Sequence, residues 1–202
     1  MFEVFAKELE SHYPGALDFS QPWIYSIAGG AMIQMTLYYA SLTEYVMIWG
    51  TAIGSEGHSG RHFTGFWDTV IDGEAWYYSE GRFEKAVYKP GDRIYVGPFQ
   101  SCAMNFTDGV WAVEYARGIL PVSLIFGIAD EIISCLDFLT VLRTLLLYAD
   151  LLPRSLSYSF PFLKWPMWLV SFIPKHLNKL LIPPPEVNKM PKKNLWWFFR
   201  KK

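Results

Sequence analysis

Trp111-Ala112-Val113-Glu114-Tyr115-Ala116-Arg117-Gly118 is the stretch from which the rest of the chain can be read. Alternation places Trp111, Val113 and Tyr115 on one face of a strand and Ala112, Glu114 and Ala116 on the other. Glu114 therefore shares its face with two alanines. If that face lines the inside of a barrel, the carboxyl sits in an apolar chamber. It then needs a proton, a cation or a second carboxyl with which to share hydrogen bonds. If the strand is an edge, the same pattern puts an ordinary glutamate in water, and alternation alone leaves both readings open.

Upstream of this strand, short β-like runs recur between turn signals. Trp23–Ile27 is followed by the small-residue passage Ala28-Gly29-Gly30-Ala31, then by Met32–Ala40 and Tyr45–Ile53. Residues 54–60, Gly54-Ser55-Glu56-Gly57-His58-Ser59-Gly60, read as a glycine loop. Phe63–Ile71, Glu74–Tyr78, Phe83–Tyr88, Arg93–Val96 and Cys102–Phe106 follow, separated by Asp72-Gly73, Glu80-Gly81 and Lys89-Pro90-Gly91-Asp92. Short strands at roughly 8–12-residue spacing predict an antiparallel barrel or jelly roll. Before them, Phe2, Phe5 and Leu9 have helical spacing up to Pro14-Gly15.

The character changes after Gly118. Across Glu131–Tyr148 the polar residues Glu131, Ser134, Asp137, Thr140, Thr144 and Tyr148 form a narrow stripe at helical spacing, and the rest is almost wholly apolar. Such a helix packs into a core or lies in a bilayer interface. No run approaches the roughly 20 apolar residues of a spanning helix. The organisation expected is an N-terminal helix and lead-in over 1–22, a barrel over 23–118, amphipathic helices over 119–152 and a basic aromatic tail over 153–202.

Composition and charge agree. The 202 residues are 51% hydrophobic and 18% aromatic, which points to a membrane surface or a large apolar cavity. The net charge of −1 hides an asymmetry: residues 1–159 hold nine Lys/Arg and eighteen Asp/Glu, and residues 160–202 hold nine against the single acid Glu186. In that tail lysine stands beside Trp165, Trp168, Trp196 and Trp197, the composition of an interfacial anchor, and nucleic acid is not an expected partner. A disordered tail is the alternative.

Asp68, in Phe66-Trp67-Asp68-Thr69-Val70, is the other acid set among large apolar residues. Two carboxyls on apolar strands can share a proton, shuttle protons or hold an organic ammonium. His12, His58, His62 and His176 make no metal-ligand spacing and read as structural, and Cys102 and Cys135 define neither a metal site nor a disulfide framework. No phosphate-binding or nucleophile-elbow motif is present, so no cofactor is called for.

Ala28-Gly29-Gly30, Ala40-Ser41-Leu42-Thr43-Glu44-Tyr45, Gly50-Thr51-Ala52, Gly57-His58-Ser59-Gly60, Tyr88-Lys89-Pro90-Gly91 and Val113-Glu114-Tyr115-Ala116-Arg117-Gly118 stand in a familiar order. Over about Phe5 to Leu152 the chain resembles the family that unites the fungal C-8 sterol isomerases with the sigma non-opioid intracellular receptors. The resemblance implies a mainly β fold with C-terminal α: a cupin-like β-barrel around a ligand, with two membrane-facing helices, at the endoplasmic reticulum or nuclear envelope. It implies that Glu114 pairs with a ligand's ammonium and that Asp68 hydrogen-bonds to Glu114. The implied pocket wall is Met35, Leu37, Tyr45, Met47, Trp49, Phe66, Phe106, Ser123, Leu124, Thr144 and Tyr148.

Three functions follow from the resemblance. The first is a sigma-receptor-like protein, binding sterol-like or cationic amphiphilic ligands at a membrane and open to homo-oligomerisation. The second is a sterol isomerase, in which Glu114 and Asp68 protonate the eight-position alkene and remove a proton from its neighbour. The third is an interaction protein with a vestigial pocket. The features divide between branches: Ala31, Met32, Gln34-Met35 and Glu56-Gly57-His58 look isomerase-like, whereas Asp68, Trp111 and Asp137-Phe138-Leu139-Thr140 look sigma-like. Tyr95-Val96 stands where both branches carry a histidine, and the family's N-terminal membrane helix has no counterpart in the sequence.

Overall fold

The computed structural model describes residues 2–163 together with 174, 176, 177, 180 and 181. Helix α1 (Phe2–His12) leads into ten strands: β1 (Ile24–Ala28), β2 (Ala31–Ala40), β3 (Glu44–Gly50), β4 (Ser55–His58), β5 (Thr64–Asp72), β6 (Ala75–Ser79), β7 (Ala86–Tyr88), β8 (Arg93–Val96), β9 (Cys102–Phe106) and β10 (Trp111–Gly118). Helices α2 (Leu120–Ile133) and α3 (Phe138–Ser159) follow. The Trp-rich pieces around 165–168 and 195–202, read as interfacial anchors, lie outside the described residues.

All strand pairs are antiparallel and fall into two sheets, β1-β2-β3-β10-β5-β8 and β4-β9-β6-β7. The barrel expected from the sequence is not one closed sheet: the two antiparallel sheets face each other without closing into a continuous barrel. Tight turns at Asp72-Gly73 and Lys89–Asp92 carry the chain from one sheet to the other rather than closing hairpins. One apolar core joins the inner faces of both, with Leu37, Met47, Trp49, Val70 and Ile94 from the larger sheet meeting Ala75, Tyr77, Cys102 and Phe106 from the smaller.

The stretch expected to be a glycine loop is in part a strand. Residues Ser55–His58 form β4 at the edge of the smaller sheet, paired with β9. The reason lies in Gly57. A Cβ there would sit 2.5 Å from the Gly29 carbonyl oxygen, so glycine permits β4 to press against the β1–β2 turn. The His58 N–H donates to that same carbonyl at 2.8 Å.

The periodic stretch Glu131–Tyr148 likewise divides, since α2 ends at Ile133 and α3 begins at Phe138. Ser134 and Cys135 N–H groups both close back on the Asp130 carbonyl, and Leu136 takes a left-handed φ of 54°. Asp137 then caps α3 by accepting from the Thr140 N–H at 3.0 Å. Proline at 153 does not end this helix, which runs on to Ser159. Arg154 holds that last part down through ion pairs to Asp18 (3.1 Å) and Asp150 (3.5 Å).

The polar stripe faces inward only in part: Glu131, Thr140 and Thr144 turn into the protein and Tyr148 is half-buried, whereas Ser134 is exposed and Asp137 half-buried where the chain breaks between the helices. Glu131, Thr140, Arg143, Thr144 and Asp150 are buried, while Ile125, Ile133, Leu136, Phe138, Leu142 and Leu145 are exposed. Glu131 accepts from the Ile27 N–H at 2.8 Å and Asp130 from the Gly30 N–H at 2.9 Å, which fastens α2 over the β1–β2 hairpin. No helix among the described residues is long and apolar enough to cross a membrane.

Candidate functional site

Strand register builds the site. In the larger sheet Glu114 lies opposite Met47 on one side and Asp68 on the other, and Asp68 lies opposite Ile94. The inward row at that level therefore reads Met47, Glu114, Asp68, Ile94. One level away, Ala112 sits between Trp49 and Val70, and on the other side Ala116 sits between Tyr45 and Phe66. These two alanines are why the acids acquire partners. Over Ala112 the Trp49 indole reaches past β10 and donates to Asp68 Oδ1 at 2.9 Å. Beside Ala116 the Tyr45 hydroxyl reaches Glu114 Oε1 in a short hydrogen bond.

The two carboxyls also hydrogen-bond to each other. Neither forms an ion pair with a lysine or arginine among the described residues. Burial pushes Asp68 up to about 6, with the Trp49 and Glu114 hydrogen bonds opposing. Glu114 is held well above the usual carboxylate range, first by burial and then by the charge of Asp68, with the Tyr45 hydrogen bond opposing. Burial and mutual repulsion thus push both carboxyls toward protonation, which favours a pair that shares a proton over a pair of adjacent charges. Burial also raises the Tyr45 and Tyr148 phenols, which remain neutral donors.

Both acids line a cavity of about 180 Å³ between the sheets and the helices. Asp68 is 4% exposed, and the accessible part of Glu114 lies on the cavity wall. The structure brings every residue of the expected wall to this cavity: Met35, Leu37, Tyr45, Met47, Trp49, Phe66 and Phe106 from strands, Ser123 and Leu124 from α2, Thr144 and Tyr148 from α3. The sequence reading missed Ser26, Ile33, Tyr77, Met104 and Phe126, and it set aside His58 and His62, all of which line the cavity too. A clue to His62 was present: it stands just before the strand whose alternate residues Thr64, Phe66 and Asp68 share one face. Among the described residues no group of His, Cys, Asp and Glu is arranged to hold a metal.

Fold and site define a class: an antiparallel two-sheet container, roofed by helices, with a carboxyl pair in its cavity that no lysine or arginine among the described residues meets. The chain belongs to the family described as ERG2 and Sigma1 receptor like protein, which it matches over residues 1–159. It is 40% identical over 156 residues to sigma non-opioid intracellular receptor 1 of Gallus gallus, covering 75% of this chain and 70% of that one. It is 42% identical over 124 residues to the C-8 sterol isomerase of Pyricularia oryzae, covering 61% of this chain and 56% of that one. Among solved structures, a RmlC-like cupin from Shewanella frigidimarina overlaps 50% of this chain and 89% of its own at 17% identity and a TM-score of 0.43.

Proposed function

We propose that the chain is a sigma-receptor-like protein of the endoplasmic reticulum membrane or nuclear envelope, whose cavity binds cationic amphiphilic or sterol-like ligands. The observation that carries this reading is a buried pair of adjacent carboxyls on the cavity wall that no lysine or arginine among the described residues meets. An ammonium supplies the missing charge, and the shared proton shifts from Glu114 to Asp68 as Glu114 becomes the anion. The surrounding wall is apolar, and its methionines at 35, 47 and 104 can shift to let an elongated ligand enlarge the cavity.

The membrane part of the reading rests on α2 and α3. Ile133 is 77% exposed, Leu136 68% and Phe138 63%, and Ile125, Leu142 and Leu145 extend the same apolar exposure. Water penalises so large a surface, and the apolar edge of a bilayer covers it.

The protonation state also favours a second reading, a C-8 sterol isomerase. Glu114 as the acid gives its proton to one carbon of the eight-position alkene, leaving a cation at the other. A carboxylate of the pair then takes a proton from the adjacent ring carbon, and the electrons of that C–H bond form the seven-position alkene. The negative pair and the exclusion of water stabilise the cation between the two steps. The deciding experiment expresses the chain in membranes lacking endogenous activity, feeds an eight-position sterol alkene and follows the product by mass spectrometry. A double-bond shift lost in Glu114→Gln establishes the enzyme. No shift, with Glu114-dependent binding of a cationic amphiphile, establishes the receptor, and neither result leaves the vestigial pocket.

A further inference from the structure

The cavity has a second polar end, built around His62. Gly60 has a φ of +76°, and a Cβ there would lie 2.2 Å from His62 Nε2. Only glycine lets the imidazole fold back over this turn. His62 Nε2 lies 3.0 Å from the Ser59 carbonyl oxygen. A carbonyl can only accept, so Nε2 carries the hydrogen and Nδ1 keeps its lone pair. Burial holds the imidazole's pKa below its ordinary value, which keeps the ring neutral.

Two aromatic rings fix its orientation. Phe66 and Phe126 meet the imidazole edge-on, with centroids at 5.2 and 4.7 Å. His62 is 8% exposed and lines the cavity, yet Nδ1 has no hydrogen-bond partner among the described residues. Ser123, bonded to the Thr64 hydroxyl at 2.8 Å, lies one helical turn before Phe126 and lines the same end. A loop histidine of purely structural use needs its Ser59 bond and its packing, but no acceptor left on a cavity wall.

The position is as informative as the chemistry. Thr64, Phe66 and Asp68 are alternate residues of β5, so Thr64 and Asp68 lie roughly 13 Å apart along the strand at about 3.3 Å per residue. A ligand whose centre rests on the acid pair thus directs one end toward His62.

We infer that His62 recognises a hydroxyl: Nδ1 accepts a hydrogen bond from an alcohol at the end of a rigid, elongated, apolar ligand whose cationic or alkene centre lies at Glu114. The inference rests on the proposed ligand-binding role of the cavity and adds a specificity residue to it. A ligand without the hydroxyl displaces water from the Nδ1 acceptor without replacing its hydrogen bond and is disfavoured for that reason.

The test uses a steroid with a tertiary amine in its ring system, made with and without a hydroxyl on the terminal ring, and the full chain in detergent. The readout is the ratio of the two affinities. Wild type prefers the alcohol by about five- to ten-fold, the worth of one hydrogen bond. His62→Phe, which keeps a ring but has no acceptor, brings the ratio close to one. His62→Gln, whose amide oxygen accepts, restores part of the preference. Glu114→Gln weakens both analogues and preserves the ratio. A wild-type ratio near one overturns the inference alone, even where His62→Phe does not fold, and so does a ratio that His62→Phe leaves intact. Failure of both analogues to bind wild type overturns the ligand-binding reading beneath it.

Discussion

Asp18 and Asp150 meet Arg154 where α3 lies against the lead-in to β1, whereas Glu114 and Asp68 meet no lysine or arginine among the described residues. Both pairs are deep in the protein: Asp150 is 1% exposed and Asp68 4%. The first pair is given a cation by the chain itself. The Gln21 amide donates to both carboxylates, and Arg154 Nη2 lies 3.1 Å from Asp18 and 3.5 Å from Asp150. The second pair is met by the neutral donors Trp49 and Tyr45, and burial with mutual repulsion pushes both carboxyls toward protonation. Buried charge that the fold complements is structural. Buried charge that it leaves uncomplemented is available to a ligand.

Removing one member from each pair should therefore have opposite consequences. Glu114→Gln removes the carboxyl whose accessible part lies on the cavity wall and leaves only the more deeply buried Asp68, so cation affinity should fall roughly 30- to 1,000-fold, as when one partner of a desolvated charge pair is truncated. The same change should raise the melting temperature at pH 7. A carboxyl whose folded pKa is raised contributes stability below its unfolded pKa and loses it as pH rises through the folded value. Thermal unfolding at pH 7 and pH 4 checks the sign, since the variant's advantage should vanish in acid.

The next largest effect is on stability. Arg154→Met strands Asp18 and Asp150 and should cost about 2–3 kcal/mol, discounted because the arginine is partly exposed. That is a loss of roughly 5–10 °C in melting temperature for a chain of this size. A comparable loss of cation affinity without loss of fold would erase the distinction between the two pairs.

Asp137 is a third kind of acid, at the surface, and sharpens the comparison from below. Its bonds to the Thr140 N–H and hydroxyl hold its pKa below the ordinary value. Asp137→Ala should cost about 1 kcal/mol by denaturant titration near neutral pH. A carboxyl with a depressed folded pKa contributes above its unfolded pKa and loses that contribution as pH falls through the folded one, so the difference should close in acid.

The strand around Glu114 was legible because alternation set it between alanines. That β5 and β10 are neighbours was not, because the strand order β3-β10-β5 pairs segments far apart in the chain. Nor could spacing tell that Trp49 crosses Ala112 to reach Asp68, since that depends on register in two ladders. Gly57 reads as a loop residue until the β1–β2 turn is seen pressing on it. The break between α2 and α3 was hidden because the left-handed position is Leu136, where glycine is the usual signal. His62 matched no metal-ligand spacing, and its place two residues before the alternating face of β5 gains meaning only from what packs around it.

The most direct test of the central claim, that the two cavity carboxyls share a proton and a cation is paired by the charge they keep, is the affinity of a permanently charged quaternary amphiphile from pH 8 to pH 5. The account predicts constant affinity down to about pH 6, where Asp68 takes up its proton, and then a fall approaching ten-fold per unit. Affinity that is flat across the range, or equal in Glu114→Gln, would contradict it.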